Sequence, residues 1–417
     1  MRRIGVSLAP KTVRSIRLFG LLVAQLCAYS MLSALCFACP LYLFDCSGSS
    51  TLYGAVAAIA FIPGVLATPV GGILADRGRH RGVLVVLGIV LMAASLLFIP
   101  MKRSLPLAVV VAAMLCVQYG IQSLLKPMLQ IEAVCMTGQE KVERATALVS
   151  QIIMMSNILG PVVGTAVYGC FGIDTLCETA ALTFTISALL FGGALKQNAS
   201  SETMGDGATR TTRRNDFREL IRYLSQNSSL LVVFLLAAIL NLALVGLTIG
   251  APVIVAKHLG MQSSFVGIIE VAMGLGGLVG SGLVGIWPHR FSFKGICRYV
   301  AMICFGVVPI IVTLLSGPDE LAFAALAAGS AWVMAWASIA SVEIVSFVQR
   351  SAPKELCGKV LALVYMMLSC ATPIGQLVYG LAYDRWTPAI VFAGMLAVLT
   401  LTTALFYRLK SRLWRLP

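Results

Sequence analysis

The chain has 417 residues, of which 59% are hydrophobic and 12% charged, with a formal net charge of +14 and a mean hydropathy of +0.92. A soluble domain carries about 25% charged residues, and a soluble chain of this length cannot bury so much apolar surface. The cations lie in short gaps between apolar runs of about twenty residues, the length that spans a bilayer. The composition therefore indicates a partner in the lipid bilayer and excludes a nucleic-acid binder.

Twelve apolar segments are predicted to cross the membrane as helices. The first is too long for a cleaved signal peptide and is followed by many more spans. The predicted spans are Leu18–Leu43, Thr51–Ala75, Val83–Met101, Leu105–Leu129, Ala145–Tyr168, Thr175–Leu195, Ser229–Ala256, Phe265–Trp287, Ile296–Ser316, Leu321–Ser346, Val360–Tyr383 and Ala389–Tyr407. We therefore expect an all-α membrane protein of twelve transmembrane helices.

A polar segment rich in Ser, Thr, Asn, Gly and Arg, Lys196–Gln226, separates the two sets of six spans. We predict an N-terminal six-helix bundle at 1–195, a cytoplasmic linker at 196–228 and a C-terminal bundle at 229–417, paired repeats of the kind found in secondary transporters. The linker contains four apolar residues at helical spacing, which predict a short amphipathic helix on the inner leaflet or a solvated linker helix: Phe217, Leu220, Ile221 and Leu224.

The cations are distributed unequally between the two sides of this topology. If the N-terminus is cytoplasmic, only four of the 31 Lys and Arg residues face outside: Lys102, Arg103, Lys257 and Arg385. Short cytoplasmic loops retain Lys and Arg. We therefore predict a multi-pass protein of the inner (cell) membrane with both termini cytoplasmic.

A dense cluster of charge, Gly71–Gly82, separates the second and third spans. Gly72 allows a neighbouring helix to approach closely. Asp76 lies near the inner end of the second span, where it can accept hydrogen bonds from the N-terminus of a facing helix. A plain positive-inside anchor is the alternative, and it is sufficient to explain Arg79 and Arg81.

Two motifs resemble signatures of the major facilitator superfamily. Gly72-Ile73-Leu74-Ala75-Asp76-Arg77, followed by Gly78-Arg79-His80-Arg81, resembles its loop 2–3 signature, with Arg79 where a second Gly is expected. The run from Ser156 to Gly164 resembles the fifth-helix signature of the superfamily's exporters, with Ser156 in place of the leading Gly and with Gly160, Pro161 and Gly164 retained.

Other segments are similar to the bacterial drug- and siderophore-exporter branch of the superfamily: Arg144–Leu148, Val348–Val360, and Pro373-Ile374-Gly375 with Gly380 and Asp384 beyond it. The resemblance implies that Asp76 faces the start of the eleventh helix and latches one conformation, with Arg77 in the same signature. The counterpart in the second half, Gly285–Arg290, has no Asp. The latch is therefore predicted to be one-sided.

Glu270 is the first candidate for proton coupling, because an ionisable side chain within a span is costly and therefore a functional candidate. Gly274, Gly277 and Ser281 follow it at helical spacing, so it lies on a small-residue face that packs or lines a cavity. A carboxyl group removed from water takes up a proton more readily. The alternative is an interfacial acid near the outer headgroups.

Glu343 is the second candidate for proton coupling. Trp332 and Trp336 precede it at helical spacing, so an acid and two indoles can share one face, a combination that suits a lipophilic cation. Glu343 also lies near the cytoplasmic end of its span. Interfacial anchoring for the acid and packing for the indoles therefore remain the alternatives.

Polar side chains at helical spacing mark possible cavity faces on five spans. Interhelical hydrogen bonding is the alternative role for each of them. The candidates are Gln25 and Tyr29 in the first span, Gln118 and Gln122 in the fourth, Asn157 in the fifth, Asn241 in the seventh, and Tyr365, Ser369, Thr372 and Gln376 in the eleventh.

Motifs for other chemistry are absent from the sequence. No Gly-rich loop ends in Gly-Lys-Ser/Thr, so ATP hydrolysis is not expected to drive transport. The three His residues are dispersed, and the twelve Cys are scattered through the spans, where Cys behaves as a small hydrophobe. We therefore expect no cofactor, no metal site and no enzymatic activity.

These observations predict a secondary active transporter working by alternating access. The resemblance favours proton-coupled efflux of small amphipathic compounds, drug-like or siderophore-like, by an antiporter of the multidrug-resistance type acting as a monomer. Its partners are then a small-molecule substrate and protons. A proton symporter importing a small nutrient remains open, as does a membrane-embedded enzyme or receptor, which the lack of a reactive constellation disfavours.

Overall fold

The computed structural model describes residues 11–76, 80–137, 142–195, 228–262, 264–287, 289–351 and 357–413. Within these ranges the chain is helical apart from short connections. The helices are α1 (Lys11–Ser47), α2 (Ser50–Asp76), α3 (His80–Ser104), α4 (Leu107–Thr137), a long helical segment at Val142–Leu195, α7 (Ser228–Val253), α8 (Ser264–Ile286), α9 (Ile296–Ser316), α10 (Asp319–Ser351), α11 (Cys357–Arg385) and α12 (Pro388–Leu413).

The long segment Val142–Leu195 is two helices separated at Gly172. Gly172 has φ 84° and ψ 172°, a backbone conformation that interrupts the helix. Only glycine adopts a positive φ of this kind without strain. The helices on either side, α5 (142–171) and α6 (173–195), match the predicted break between Tyr168 and Thr175.

Ten segments within the described ranges are long and apolar enough to cross a membrane. One of them, Gln151–Leu190, runs across the Gly172 break and at 40 residues is about 60 Å long, enough for two crossings. α11 is not among the ten, but its 29 residues reach about 43 Å. The architecture is an all-helical membrane fold compatible with the predicted twelve spans.

Local sequence explains where several helices begin. Ser49 precedes α2, and its Oγ accepts a hydrogen bond from the backbone N–H of Leu52 at 3.2 Å, which is the usual N-terminal cap. α10 starts with Asp319 and Glu320 in its first turn, where acidic side chains stabilise the positive end of the helix dipole. The predicted starts of these two helices lie within two residues of those in the structure.

The chain forms two compact units. One contains residues 1–39 and 62–205, and the other contains residues 40–61 and 206–417. The division differs from the predicted bundles in one segment: residues 40–61, the end of α1, the turn and the first part of α2, pack with the second half of the chain. We call this segment the α1–α2 hairpin.

Both units use the same helix pairs, offset by six helices. α5 packs on α1 in the first unit, where a Cβ on Gly164 would lie 2.7 Å from the carbonyl oxygen of Ala34. α11 packs on α7 in the second unit, where a Cβ on Gly250 would overlap the hydroxyl of Tyr383. In each pair a glycine allows the close approach of the helices.

The other pairs repeat in the same way. Gly64 of α2 lies against Tyr119 of α4, and Gly280 of α8 lies against Ala335 of α10. α3 packs on α6, as α9 packs on α12. The helix pairs of the first unit therefore recur in the second unit among the described residues. The predicted linker, 196–228, lies outside the described residues except for Ser228.

Candidate functional site

The signature loop is described only at its two ends. Gly72 lies in the last turns of α2, and Asp76 is the final residue of that helix. Arg81 is the second residue of α3. Arg77 and Arg79 lie outside the described residues. The latch expected at Asp76 stays a prediction.

The fifth-helix signature faces α1. A Cβ on Gly160 would overlap the side chain of Ser33 and would lie 3.0 Å from the backbone nitrogen of Ala34. Pro161 occupies the next position and its carbonyl oxygen accepts a hydrogen bond from the Thr165 hydroxyl at 2.7 Å. Gly160 and Gly164, four residues apart, therefore form one contact face with α1.

Ser156, where the exporter signature has a glycine, extends the same face. Its side chain is buried. Its hydroxyl donates to the carbonyl oxygen of Leu26 at 3.4 Å and accepts from the Ser30 hydroxyl at 3.3 Å. The departure from the signature thus replaces a glycine contact with interhelical hydrogen bonds. Asn157, the next residue, is exposed on α5.

Amide and phenol side chains of α1 and α4 form a polar region in the first unit. The Tyr29 hydroxyl donates to the carbonyl oxygen of Gln122 at 3.3 Å, which brings the two predicted faces together. Gln25 and Gln118 are almost fully buried. Among the described residues, Gln25 Oε1 and both polar atoms of the Gln118 amide have no hydrogen-bond partner. Because a buried unpaired amide is costly, these two residues are candidates to bind polar groups.

α8 has two different faces in the second unit. Gly276 and Gly280 lie directly on the backbone of α10, whereas a Cβ on Gly277 would meet nothing within 4 Å. Glu270 shares the Gly277 side of the helix and is half-buried. The structure therefore places the candidate acid on a face of α8 that α10 leaves open. Tyr53 of the α1–α2 hairpin lies within electrostatic reach of its carboxyl group.

The aromatic face of α10 packs against α9. The Trp332 indole N–H donates to the carbonyl oxygen of Met302 at 2.8 Å, and the Trp336 ring stacks on Tyr299 with centroids 6.0 Å apart. By helical spacing Glu343 follows on this face, and it is buried, which does not suit an anchor in the headgroup layer. The packing explains both Trp residues, so we do not propose them as substrate contacts.

The predicted polar stripe of α11 is described in its second half. Thr372 and Gln376 are half-buried there, and among the described residues Gln376 Oε1 has no hydrogen-bond partner. Tyr365 and Ser369 lie earlier in the same helix. Asn241, on the neighbouring α7, is also half-buried.

The end of α11 holds a group of contacts that sequence reasoning missed. The Asp384 carboxylate accepts hydrogen bonds from the backbone N–H groups of Ser50 at 2.9 Å and Thr51 at 2.8 Å, and from the Ser49 hydroxyl at 3.0 Å. The Lys257 ammonium lies 3.6 Å from the same carboxylate. The sequence signals were separate: a Ser-Ser-Thr helix start, an acid at the end of a span, and a cation beyond another span.

Asp384 lies just beyond the predicted eleventh span, and two opposing effects act on its pKa. Partial burial raises the pKa, but the hydrogen bonds from Thr51, Ser50 and Ser49 outweigh this effect and hold it below the usual range for Asp. Donors that bind the charged form stabilise it. Asp384 is therefore ionised at neutral pH.

Corresponding helix pairs recur in the two units with glycines at their contacts, and the family relation agrees with this packing. A sequence model of the Major Facilitator Superfamily matches residues 21–376. The chain belongs to the major facilitator superfamily. No curated protein sequence is a significant match to it.

Solved structures show the superfamily fold over nearly the whole chain. The nucleoside transporter NupG is similar with a TM-score of 0.73 and 14% identity, covering 96% of this chain and 99% of that chain. A bacterial homologue of the iron transporter ferroportin has a TM-score of 0.70 and 15% identity, covering 96% and 99%. A D-xylose–proton symporter has a TM-score of 0.64 and 14% identity, covering 97% and 98%. At these identities the likeness shows the fold alone, and superfamily membership indicates a membrane transporter.

Proposed function

We propose that this superfamily member is a proton-coupled exporter of small amphipathic compounds with both termini in the cytoplasm. The observation that carries the coupling is Glu270, a half-buried acid on the open face of α8. An acid in such a place is neither paired in the packed core nor freely solvated, so its charge responds to what enters the space beside it. Proton entry is worth about 2.3 kcal/mol per elementary charge per 100 mV.

Export is supported by the contact of α5 with α1. The fifth-helix signature resembles that of exporters, and its Gly160 and Gly164 make a close contact with α1. Among the described residues, the unpaired Oε1 of Gln25 and the unpaired amide of Gln118 support a substrate that carries hydrogen-bonding groups. Exporter branch, substrate class and orientation are parts of this proposal.

A flux measurement separates export from its competitors. Cells that overproduce the protein are loaded with a fluorescent lipophilic cation, and accumulation is followed before and after a protonophore is added. Export predicts low accumulation that rises when the gradient collapses. Gradient-dependent accumulation above that of cells without the protein indicates instead a symporter, the activity named for one structural neighbour. The absence of flux for a panel of cations, sugars and nucleosides contradicts both.

The predicted inner latch has its own test in Asp76→Asn. The substitution keeps the size of the side chain but removes the charge that interacts with a facing helix N-terminus, an interaction worth up to about 2 kcal/mol. Transport is expected to fall by about tenfold while membrane insertion is unchanged. Efflux rates and the amount of protein in isolated membranes measure the two effects.

Arg81→Gln is the matched control, because a positive-inside anchor tolerates the loss of one cation among several. It is expected to transport at close to the native rate. Native efflux by Asp76→Asn contradicts the inner latch.

A further inference from the structure

The α1–α2 hairpin is held by α11 through contacts that sequence reasoning did not anticipate. A Cβ on Gly54 would overlap the carbonyl oxygen of Gln376, and a Cβ on Gly380 would lie 2.7 Å from the carbonyl oxygen of Ser50. Two facing glycines thus bring the backbones of α2 and α11 into direct contact. This contact involves only the first part of α2, which belongs to the second compact unit.

An apolar cluster lies beside the glycine contact. Phe44 and Tyr53 of the hairpin pack with Val245 and Ile249 of α7 and with Tyr379 of α11, all of them buried. Within the second unit, the hairpin is therefore held against α7 and α11 by an apolar core as well as by backbone contact.

Asp384 closes this interface at its end. Its carboxylate accepts three hydrogen bonds from the first residues of α2, and Lys257 lies beside it. Lys257 also donates to the carbonyl oxygen of Gly48 at 3.4 Å, and it is presented by a π-helical turn, Ile254–His258, at the end of α7. One acid and one cation, on α11 and α7, thus hold both sides of the α1–α2 turn.

The start of α2 does not need Asp384 in order to form. Ser49 caps the helix with its own side chain by accepting from the Leu52 N–H. Two of the three hydrogen bonds to Asp384, from the Ser49 hydroxyl and the Thr51 N–H, are exposed, and the third, from the Ser50 N–H, is partly buried. At the two exposed groups water replaces the carboxylate when the contact opens. The Asp384 contacts are therefore a tie between helices that can open without unfolding either of them.

We propose that Asp384, together with Lys257, is a reversible latch that holds the α1–α2 hairpin on α11, and that the transporter releases it when it opens on that side of the membrane. The latch does not depend on which substrate moves or in which direction, so it goes beyond the proposed function. Alternating access requires such contacts to form and break at the two ends in turn.

The arrangement changes the expectation of a one-sided latch. Asp384 at the C-terminal end of α11 binds the N-terminus of α2, whereas for Asp76 at the end of α2 a contact with the start of α11 is only what the resemblance implies. The second acid lies at the end of α11 and not in the Gly285–Arg290 loop where the repeat counterpart was sought. Only the Asp384 end is described by the structure, and it stands independently of Asp76.

Hydrogen–deuterium exchange of the purified full-length chain in nanodiscs tests the latch without any transport measurement. In Asp384→Asn, deuterium uptake is expected to rise by a factor of roughly 5 to 30, the effect of one or two weak interactions on an equilibrium. The rise is expected in peptides covering residues 54–60 of α2 and 376–383 of α11. It reports opening of the whole interface, because these residues lie beyond the capped first turn.

Two further variants keep the test decisive. Asp384→Glu retains the carboxylate and is expected to restore most of the protection. Asp319→Asn removes an exposed acid from the start of α10 and serves as the matched control, with native uptake expected. If uptake in Asp384→Asn rises only at residues 50–52, or does not rise, Asp384 is a local helix cap and the proposal is overturned.

If Asp384→Asn folds poorly, Lys257→Gln tests the latch in its place, because this substitution leaves the hydrogen bonds between Asp384 and α2 intact. It is expected to raise uptake in the same peptides by a smaller factor, about twofold to fivefold. Native uptake by Lys257→Gln contradicts the latch, whether or not Asp384→Asn folds. Because the measurement involves no substrate, it can contradict the latch while the proposed export is correct. It can equally support the latch while the proposed export is wrong.

Discussion

Glu270→Gln is expected to remove the dependence of transport on the proton gradient. The amide has the shape of the protonated acid but cannot release a proton, so the carrier can no longer exchange protons for substrate. A gradient of 100 mV drives a ratio of about fiftyfold between the substrate concentrations on the two sides of the membrane for each proton exchanged. In Glu270→Gln this substrate gradient is expected to fall to equilibrium. Substrate moving down its own gradient is expected to continue.

Proteoliposomes with an imposed pH gradient measure both fluxes in one preparation. Glu320→Gln is the matched control, because Glu320 is an exposed acid in the first turn of α10 and its loss is expected to leave coupling unchanged. Glu343→Gln tests the second acid. Coupling that survives in Glu270→Gln but is lost in Glu343→Gln transfers the proton-carrying role to α10, and an unchanged pH dependence in both variants excludes either acid.

Gly160→Ala is expected to cause the largest structural effect of any methyl group added at the glycines of the first unit whose surroundings the structure describes. The new Cβ overlaps the Ser33 side chain and lies within 3.0 Å of the Ala34 backbone nitrogen, so α5 must move away from α1. Overpacking of this kind costs about 1 to 3 kcal/mol. We expect a lower melting temperature and an export rate reduced by tenfold or more, measured on the purified protein and in vesicles.

A control and a rescue separate this effect from a general loss of glycine. Gly82→Ala adds the same methyl group in α3, where a Cβ meets nothing within 4 Å, and native behaviour is expected. Ser33→Gly combined with Gly160→Ala removes the overlapping side chain and is expected to restore part of the stability. Native stability of Gly160→Ala alone would falsify the close contact of α5 with α1.

The helices were predictable because bilayer spans are long and apolar. Each of them could be placed by hydropathy, and the break at Gly172 fell between two predicted spans, so the fold class is confirmed. Superfamily membership, which was predicted from the loop 2–3 and fifth-helix motifs, is also confirmed by the match of the family model. The assignment of the hairpin to the second unit was not predictable, because hydropathy does not record which helix a span contacts.

The candidate site was predictable only in its residue types. Helical spacing put Tyr29 and Gln122 on polar faces that the structure joins by a hydrogen bond. The same spacing put Trp332 and Trp336 on one face but carried no information on the neighbour of that face, which is α9. Asp384 was missed as a contact because its partners, at the start of α2, are more than 300 residues away in the sequence.

This separation has a consequence for the order of folding. The Asp384 contact with the Ser50 N–H spans 334 residues, and the ribosome adds roughly 5 to 20 residues per second. The first turn of α2 therefore waits roughly 20 to 70 s for the end of α11 to be synthesised. During that interval the apolar side chains of the α1–α2 hairpin have no α7 or α11 to pack against. The first half of the chain is thus inserted with an unfinished surface, and the protein completes its N-terminal helices only after nearly all of its sequence has entered the membrane.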